Sequence, residues 1–145
     1  MKYDWFVAGR TRNKDVIENV LRVIRDNNQS AWSFIEKSYL YDDNSKVDFR
    51  GSGEQAITQF EQLDLNDDFV KKIFVDDLNA ERDSKNFLLV LPAGISGHVE
   101  AGIAYGMGRK CYALGVPEKT ESLYHIFDKI FANFDEFEKF LQEEK

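Results

Sequence analysis

Apolar residues in this chain occur in two alternating patterns: short unbroken runs, and stretches where they recur every three or four positions. Unbroken runs of this length suit strands buried on both faces, and the three-to-four spacing suits helices with one apolar side. "YDWFVAG" therefore predicts a first strand ending at Gly9, followed by a helix that Asn13 can cap and that carries Ile17, Val20, Leu21 and Ile24. "NNQS" breaks that helix, and "SAWSFIE" reads as a second strand. Residues 37–53 are polar, with Tyr39 and Tyr41 embedded, and predict a long loop. A short helix follows over 54–63, then one capped by Asn66 that carries Val70, Ile73, Phe74 and Leu78. "NFLLVL" is the most continuous apolar strand, 96–108 the next helix and "KCYALG" the next strand. "IFAN" reads as a short final strand before an acidic helix that starts at Phe134.

Strands alternating with helices predict a parallel sheet covered on both sides. The expectation is one doubly wound α/β domain over 1–145, with about five mostly parallel strands and helices on both faces, in the flavodoxin or Rossmann manner. Ligands of such sheets bind beyond the carboxyl ends of the strands. Gly9, Arg10 and Arg12, then Glu36, then the segment 92–100 all follow strands and should share that edge. Asp76, Asp77 and Arg82 fall near the far end of a helix and are expected to point away from it.

Composition narrows the partners. The 145 residues carry a formal charge of −7, which opposes a surface for polymeric nucleic acid while leaving room for a small charged ligand held by a local arginine pair. No apolar run approaches the ~20 residues of a membrane span, and "MKYDWFVAGR" has no signal-peptide pattern, so a cytoplasmic protein without a membrane partner is expected. Cys111 stands alone and the two histidines lack metal-ligand spacing, so neither a disulfide framework, a metal nor another cofactor is expected.

Candidate chemistry concentrates in "LPAGISGHVEAG". Gly94 and Gly97 would free the backbone for close approach of a ligand, and Ser96 would cap a helix whose open amides attract an anion. Glu100 would stand in the first turn, where the helix dipole favours an ionised carboxylate able to attack an electrophilic sugar carbon. Acids are common in first turns for dipole reasons alone, but Glu100, Ile103, Ala104 and Met107 share one stripe, and a charge on an apolar stripe needs a reason. His98, beside Glu100, could orient a sugar hydroxyl, act as an acid, or be purely structural. Arg10 and Arg12 could grip a phosphate or form a solvated surface pair. Tyr39 and Tyr41 could stack on a base or pack on the domain, and His125 reads as a packing residue.

"FVAGR" and "LPAGISGHVEAG" together resemble the first strand and the nucleophile corner of the nucleoside 2-deoxyribosyltransferase-like superfamily. That resemblance implies that Glu100 attacks the anomeric carbon of an N-glycoside, while Ser96, Gly97 and His98 hold the ribose or its phosphate. Such proteins place an acid shortly before the corner to handle the departing base; "SKNFLLVLPAG" offers only Asn86 or the more distant Asp83, with Glu36 or the Asp42 and Asp43 pair as other sources of the proton. The corner also resembles, less closely, the "PGGxGTxxE" motif of lysine-decarboxylase-like phosphoribohydrolases through Pro92, Gly94 and Glu100. Both resemblances imply cleavage or transfer at the N-glycosidic bond of a nucleoside or nucleoside 5′-monophosphate, through a covalent ribosyl–Glu intermediate in the first case. A nucleotide-binding sensor without turnover is the other reading. Self-association into a homodimer or larger assembly is also implied, with the Tyr39 and Tyr41 loop and the segment holding Phe134 and Phe137 as contacts.

Overall fold

The computed structural model describes residues 1–37, 40, 47 and 53–143, the side chains of 53 and 54 excepted. Its elements are β1 (Tyr3–Ala8), α1 (Lys14–Asp26), β2 (Ala31–Trp32), α2 (Gly53–Glu61), α3 (Asp68–Arg82), β3 (Ser84–Val90), α4 (Ile95–Gly106), β4 (Lys110–Leu114), β5 (Lys129–Phe131) and α5 (Phe134–Glu143). The strands form one five-stranded sheet in the order β2-β1-β3-β4-β5, and every pairing is parallel. The expected doubly wound α/β architecture is therefore present, in its flavodoxin-like strand order. The order reverses between β1 and β3, so a crevice opens at their carboxyl ends.

Each face of the sheet has its own core. On one, α1 and α5 bury Ile17, Val20, Leu21, Ile24, Phe137 and Leu141 against Trp5, Val7, Leu88, Val90, Tyr112 and Leu114. On the other, Ala80 of α3 and Ala101 and Ala104 of α4 meet Phe6, Ala8, Phe87, Leu89, Cys111 and Ala113. The alternation along β1 and β3 is what splits these residues between faces. Small residues on α3 and α4 let those two helices lie close to the sheet and to each other. A third cluster, of Leu40, Val47 and Ala56 with Phe60, Leu63 and Phe69 around it, anchors α2, which lies beside the Thr11–Asn13 turn. Among the described residues no helix is long and apolar enough to cross a membrane.

Several local expectations are corrected. The second strand is only Ala31–Trp32, because the chain then tightens into a 3₁₀ turn, Phe34–Glu36, started by the Ser33 hydroxyl accepting from the Ile35 amide. α3 is capped by Asp67, whose carboxylate accepts from the Phe69 amide, and not by Asn66. Phe137 is fully buried in the first core, where its ring meets Trp5 edge-on at 5.5 Å, so it cannot be a subunit contact. His125 is exposed in the 3₁₀ segment Ser122–Ile126, not packed. Tyr39, Tyr41, Asp42 and Asp43 lie outside the described residues.

Gly9 closes β1 where nothing larger fits: a Cβ there would stand 3.0 Å from Ile17 Cδ1 and 3.2 Å from Val90 Cβ. Val90 Cβ is fixed to its strand and cannot swing aside. Gly102, on α4, has open space around it. Gly9→Ala is thus expected to lose about 1–3 kcal/mol of stability through overpacking, and Gly102→Ala to gain about 0.5–1 kcal/mol through helix propensity. Urea denaturation of the two variants checks the pair; equal effects would contradict the packing described for Gly9.

Candidate active site

The crevice between β1 and β3 is walled by the segments that follow those strands. After β1, the Arg10 guanidinium reaches across to the Ala93 carbonyl at 3.4 Å, and the Asn13 amide donates to the Pro92 carbonyl at 3.1 Å. Asn13 does sit at the start of α1, but it makes no capping bond there, because its side chain is spent on the opposite wall. Arg12 is exposed on the intervening turn. Gly9, Arg10, Gly94, Ser96 and Gly97 are accordingly at one edge.

The corner after β3 differs from its expected form in three ways. Gly94, not Ser96, occupies the cap position, since its carbonyl already accepts from the His98 amide at 3.3 Å. No side chain caps α4, so no side-chain acceptor claims the amides of its first turn. Glu100 therefore falls at the sixth helical residue, beyond the first turn where the dipole is felt. Finally, neither Gly94 nor Gly97 uses a backbone angle reserved for glycine: Gly94 is extended at φ −90°, and the described residues with positive φ are Asn28, Gly108 and Gly115. Gly97 is required by packing, because a Cβ would lie 2.7 Å from Cδ1 of the fully buried Leu89.

His98 has both ring nitrogens engaged, Nδ1 with the Gly94 carbonyl at 2.7 Å and Nε2 with the Tyr124 hydroxyl at 2.9 Å. A carbonyl only accepts, so Nδ1 carries a proton; in the neutral ring Nε2 then accepts from Tyr124. The geometry makes His98 a brace that ties the 3₁₀ segment Ser122–Ile126 to the start of α4. Glu36 is likewise committed: its two carboxylate oxygens take bonds of 2.6 and 2.8 Å from Arg25. Asn86 and Asp83 lie at the opposite edge of the sheet. Asn86, the third residue of β3, pairs in register with Trp5 and donates to the Asp4 carbonyl, and Asp83 ends α3 just before the strand starts.

The acids near Glu100 come instead from α3. All strands are parallel, so α3 and α4 both run from the carboxyl edge downward, and their facing sides pack together. This brings Asp77 toward Glu100, contrary to the expectation that Asp77 points away, and places Glu81 one helical turn deeper beside the Ala104 backbone. Burial, with Asp77 and Glu81 adding repulsion, holds the Glu100 carboxyl well above the ordinary range. Asp77 is pushed up to about 7 by burial and Asp76, against the pull of the Lys37 ammonium. Glu81 is pushed up to about 8 by burial and Asp77, opposed by a hydrogen bond to the Ala104 backbone. The expected ionised Glu100 is therefore replaced by a group that keeps its proton at rest, since desolvation outweighs a dipole it no longer touches. Among the described residues no group of His, Cys, Asp or Glu side chains is arranged to hold a metal ion.

Glu81 and Lys37 have no place in the sequence reading, and Asp77 enters it only as a residue pointing away, although a signal for the two acids is present. Ile73, Ala80 and Glu81 are buried on one side of α3 with Asp77 half-buried beside them, the same pattern of an acid on an apolar stripe that singled out Glu100. Lys37 has no such signal.

Comparison with known proteins adds a likeness of fold. No family model matches the sequence, and no curated protein matches it. Among solved structures, a 2-deoxyribosyltransferase from the psychrotolerant bacterium Bacillus psychrosaccharolyticus superposes with a TM-score of 0.64, covering 92% of this chain and 89% of that one at 12% identity. At that identity the likeness is one of fold; it agrees with the architecture implied by the "FVAGR" and "LPAGISGHVEAG" resemblance.

Raised carboxyl pKa values have a consequence for stability. The folded state binds these protons more tightly than the unfolded chain does, so their contribution is complete below the ordinary carboxylate range and is lost as pH climbs through about 7 and 8. The thermal midpoint is expected to fall by several degrees, on the order of 5 °C, between pH 5.5 and 8.5. Calorimetry across that range checks it, and a flat or rising midpoint would contradict the burial of these acids.

Proposed function

We propose that the protein cleaves or transfers the N-glycosidic bond of a nucleoside or nucleoside 5′-monophosphate, with Glu100 as the attacking carboxylate and Asp77 as its proton-handling partner. The observation that supports this reading is the interaction of Glu100 on α4 with Asp77 on the neighbouring α3, both carboxyls being held above the ordinary range. Two carboxyls that hold a proton between them at neutral pH have what a double displacement at a sugar carbon needs: one charge to attack with and one proton to give. The fold shared with a 2-deoxyribosyltransferase supports the same class of reaction.

In the reactive arrangement the charge sits on Glu100 and the proton on Asp77. A Glu100 oxygen forms a bond to the anomeric carbon as the carbon–nitrogen bond breaks; its electron pair leaves with the base, which takes the proton from Asp77. The ribosyl ester is then released by water, in hydrolysis, or by a second base, in transfer. Asp77, now ionised, accepts the proton of whichever nucleophile attacks. At rest the proton favours Glu100, and charge developing on the sugar ring draws the negative charge onto Glu100. Lys37 steadies the ionised form of Asp77 in between.

The phosphate assignment rests on the uncapped first turn of α4 beside Arg10. Open amides with a guanidinium on the facing wall suit a dianionic phosphate. His98 fixes the corner that presents those amides, and Gly9 and Gly97 allow the two walls their close seats on the sheet.

Incubation with nucleosides, nucleoside monophosphates and NAD, followed by detection of free base, tests the reaction class. Glu100→Gln is expected to fold at least as stably as the parent, to bind ligand, and to lose turnover by several orders of magnitude, as removal of an attacking charge requires. Base release at the parent rate would reject the role of Glu100, whereas saturable binding with no release by either protein would favour a nucleotide sensor. Arg10→Ala is expected to raise KM for a monophosphate about tenfold or more while leaving KM for the free nucleoside unchanged; equal effects on both would reject the phosphate site.

A further inference from the structure

α4 is apolar on more sides than a helix with one face in water needs. Gly97, Ala101 and Ala104 are buried toward the sheet, and Glu100, its one charged residue, is turned toward α3. The outward stripe, at spacings of four, three and four, is Ile95, Val99, Gly102 and Gly106, with no polar side chain. Ile95 is 85% exposed and Val99 56%. Neighbouring α3 adds Phe74 at 60% and Val75 at 50%, so exposed apolar surface lies on both sides of the seam where the two helices pack together. A helix with no polar side is ordinarily covered all round. Gly102 and Gly106 are unexplained within the chain: a Cβ at either meets nothing within 4 Å, and glycine weakens a helix interior.

The stripe is complementary to itself. Ile95 and Gly106 lie equally far from the middle of α4, and so do Val99 and Gly102. When the same helix is laid over it antiparallel, each branched side chain falls on a glycine, as a two-fold axis demands. α3 repeats the logic with charge. Exposed Asp68 in its first turn and exposed Arg82 in its last stand seven residues before and after Val75, hence on the same side. Reversal about Val75 sets opposite charges together at both ends. An unrelated partner has no cause to match a pattern that is its own complement on reversal; a second copy matches it automatically.

We propose that two copies of this chain associate through the outer face of α3 and α4, antiparallel across a two-fold axis. Ile95 and Val99 of each copy seat on Gly106 and Gly102 of the partner subunit, and Asp68 pairs with Arg82 of the partner subunit. This face is remote from Phe134 and Phe137, which belong to the opposite side of the sheet.

Sedimentation of the full chain from about 1 to 200 μM tests the proposal and needs no substrate. A monomer–dimer equilibrium is expected, with the dimer dominant at the upper end. Val99→Lys and Gly102→Leu, at positions open in the single chain, are expected to sediment as monomers throughout while keeping the parent's far-ultraviolet circular dichroism. Gly102→Ala is expected to weaken the dimer about tenfold, yet to strengthen the single chain when urea denaturation is run on dilute, dissociated protein. Asp68→Arg and Arg82→Asp are each expected to raise the dissociation constant about tenfold, and the two swaps together to bring it back toward the parent value. A parent that stays monomeric to the highest concentration overturns the proposal. A dimer that survives Val99→Lys and Gly102→Leu also overturns it, because association then uses another face. Charge swaps that worsen one another instead of compensating reject the antiparallel arrangement.

Discussion

The carboxyl edge of this protein depends on how closely α4 can sit on the sheet. Leu89 leaves no room for a side chain at Gly97, and Ala101 and Ala104 continue the contact downward. Because the helix lies so low, its inner side meets α3, and Glu100 on that side is largely withdrawn from solvent against the acids that α3 presents. The same closeness draws the 92–94 corner over the end of β1, where Arg10 and Asn13 fasten it through backbone carbonyls. A helix held farther out would leave Glu100 in water with an ordinary titration and would leave the two walls of the crevice unconnected.

Burial on that scale changes what a carboxylate is for. Exposed acids at helix starts are ionised and contribute a few tenths of a kcal/mol to about 1 kcal/mol through the dipole. Here desolvation dominates, the acids repel one another, and protons stay in the protein at neutral pH. That arrangement weakens the fold as pH rises and so runs against stability alone. Clusters of this kind occur where chemistry needs shared protons.

Much of the architecture was legible in the sequence, because unbroken apolar runs and three-to-four spacing are direct imprints of buried strands and one-sided helices. The edge that bears Gly9, Arg10 and Glu100 followed from strand direction. What the sequence concealed were contacts between elements distant along the chain. Asn13 looked like a cap and instead spans to Pro92; His98 looked available and is held by Gly94 and Tyr124. The interaction of Asp77 with Glu100 is likewise hidden, because a place within a long helix says nothing about the level at which a neighbouring helix begins. The glycines of the corner were given conformational reasons, whereas Gly97 has a steric one that only the position of Leu89 reveals.

The two tryptophans fall one on each side of the sheet. Trp5 lies among Tyr112, Phe137 and Phe140, with its indole N–H donating to Gln29 at 2.6 Å, while Trp32 stacks on Phe6 at 5.0 Å in the layer of α3 and α4. The protein thus carries a separate native fluorophore for each helical layer. Emission from Trp5 reports on the docking of α5, and emission from Trp32 reports on the layer that holds the buried acids, so events at the crevice can be told apart optically from loosening of the opposite face.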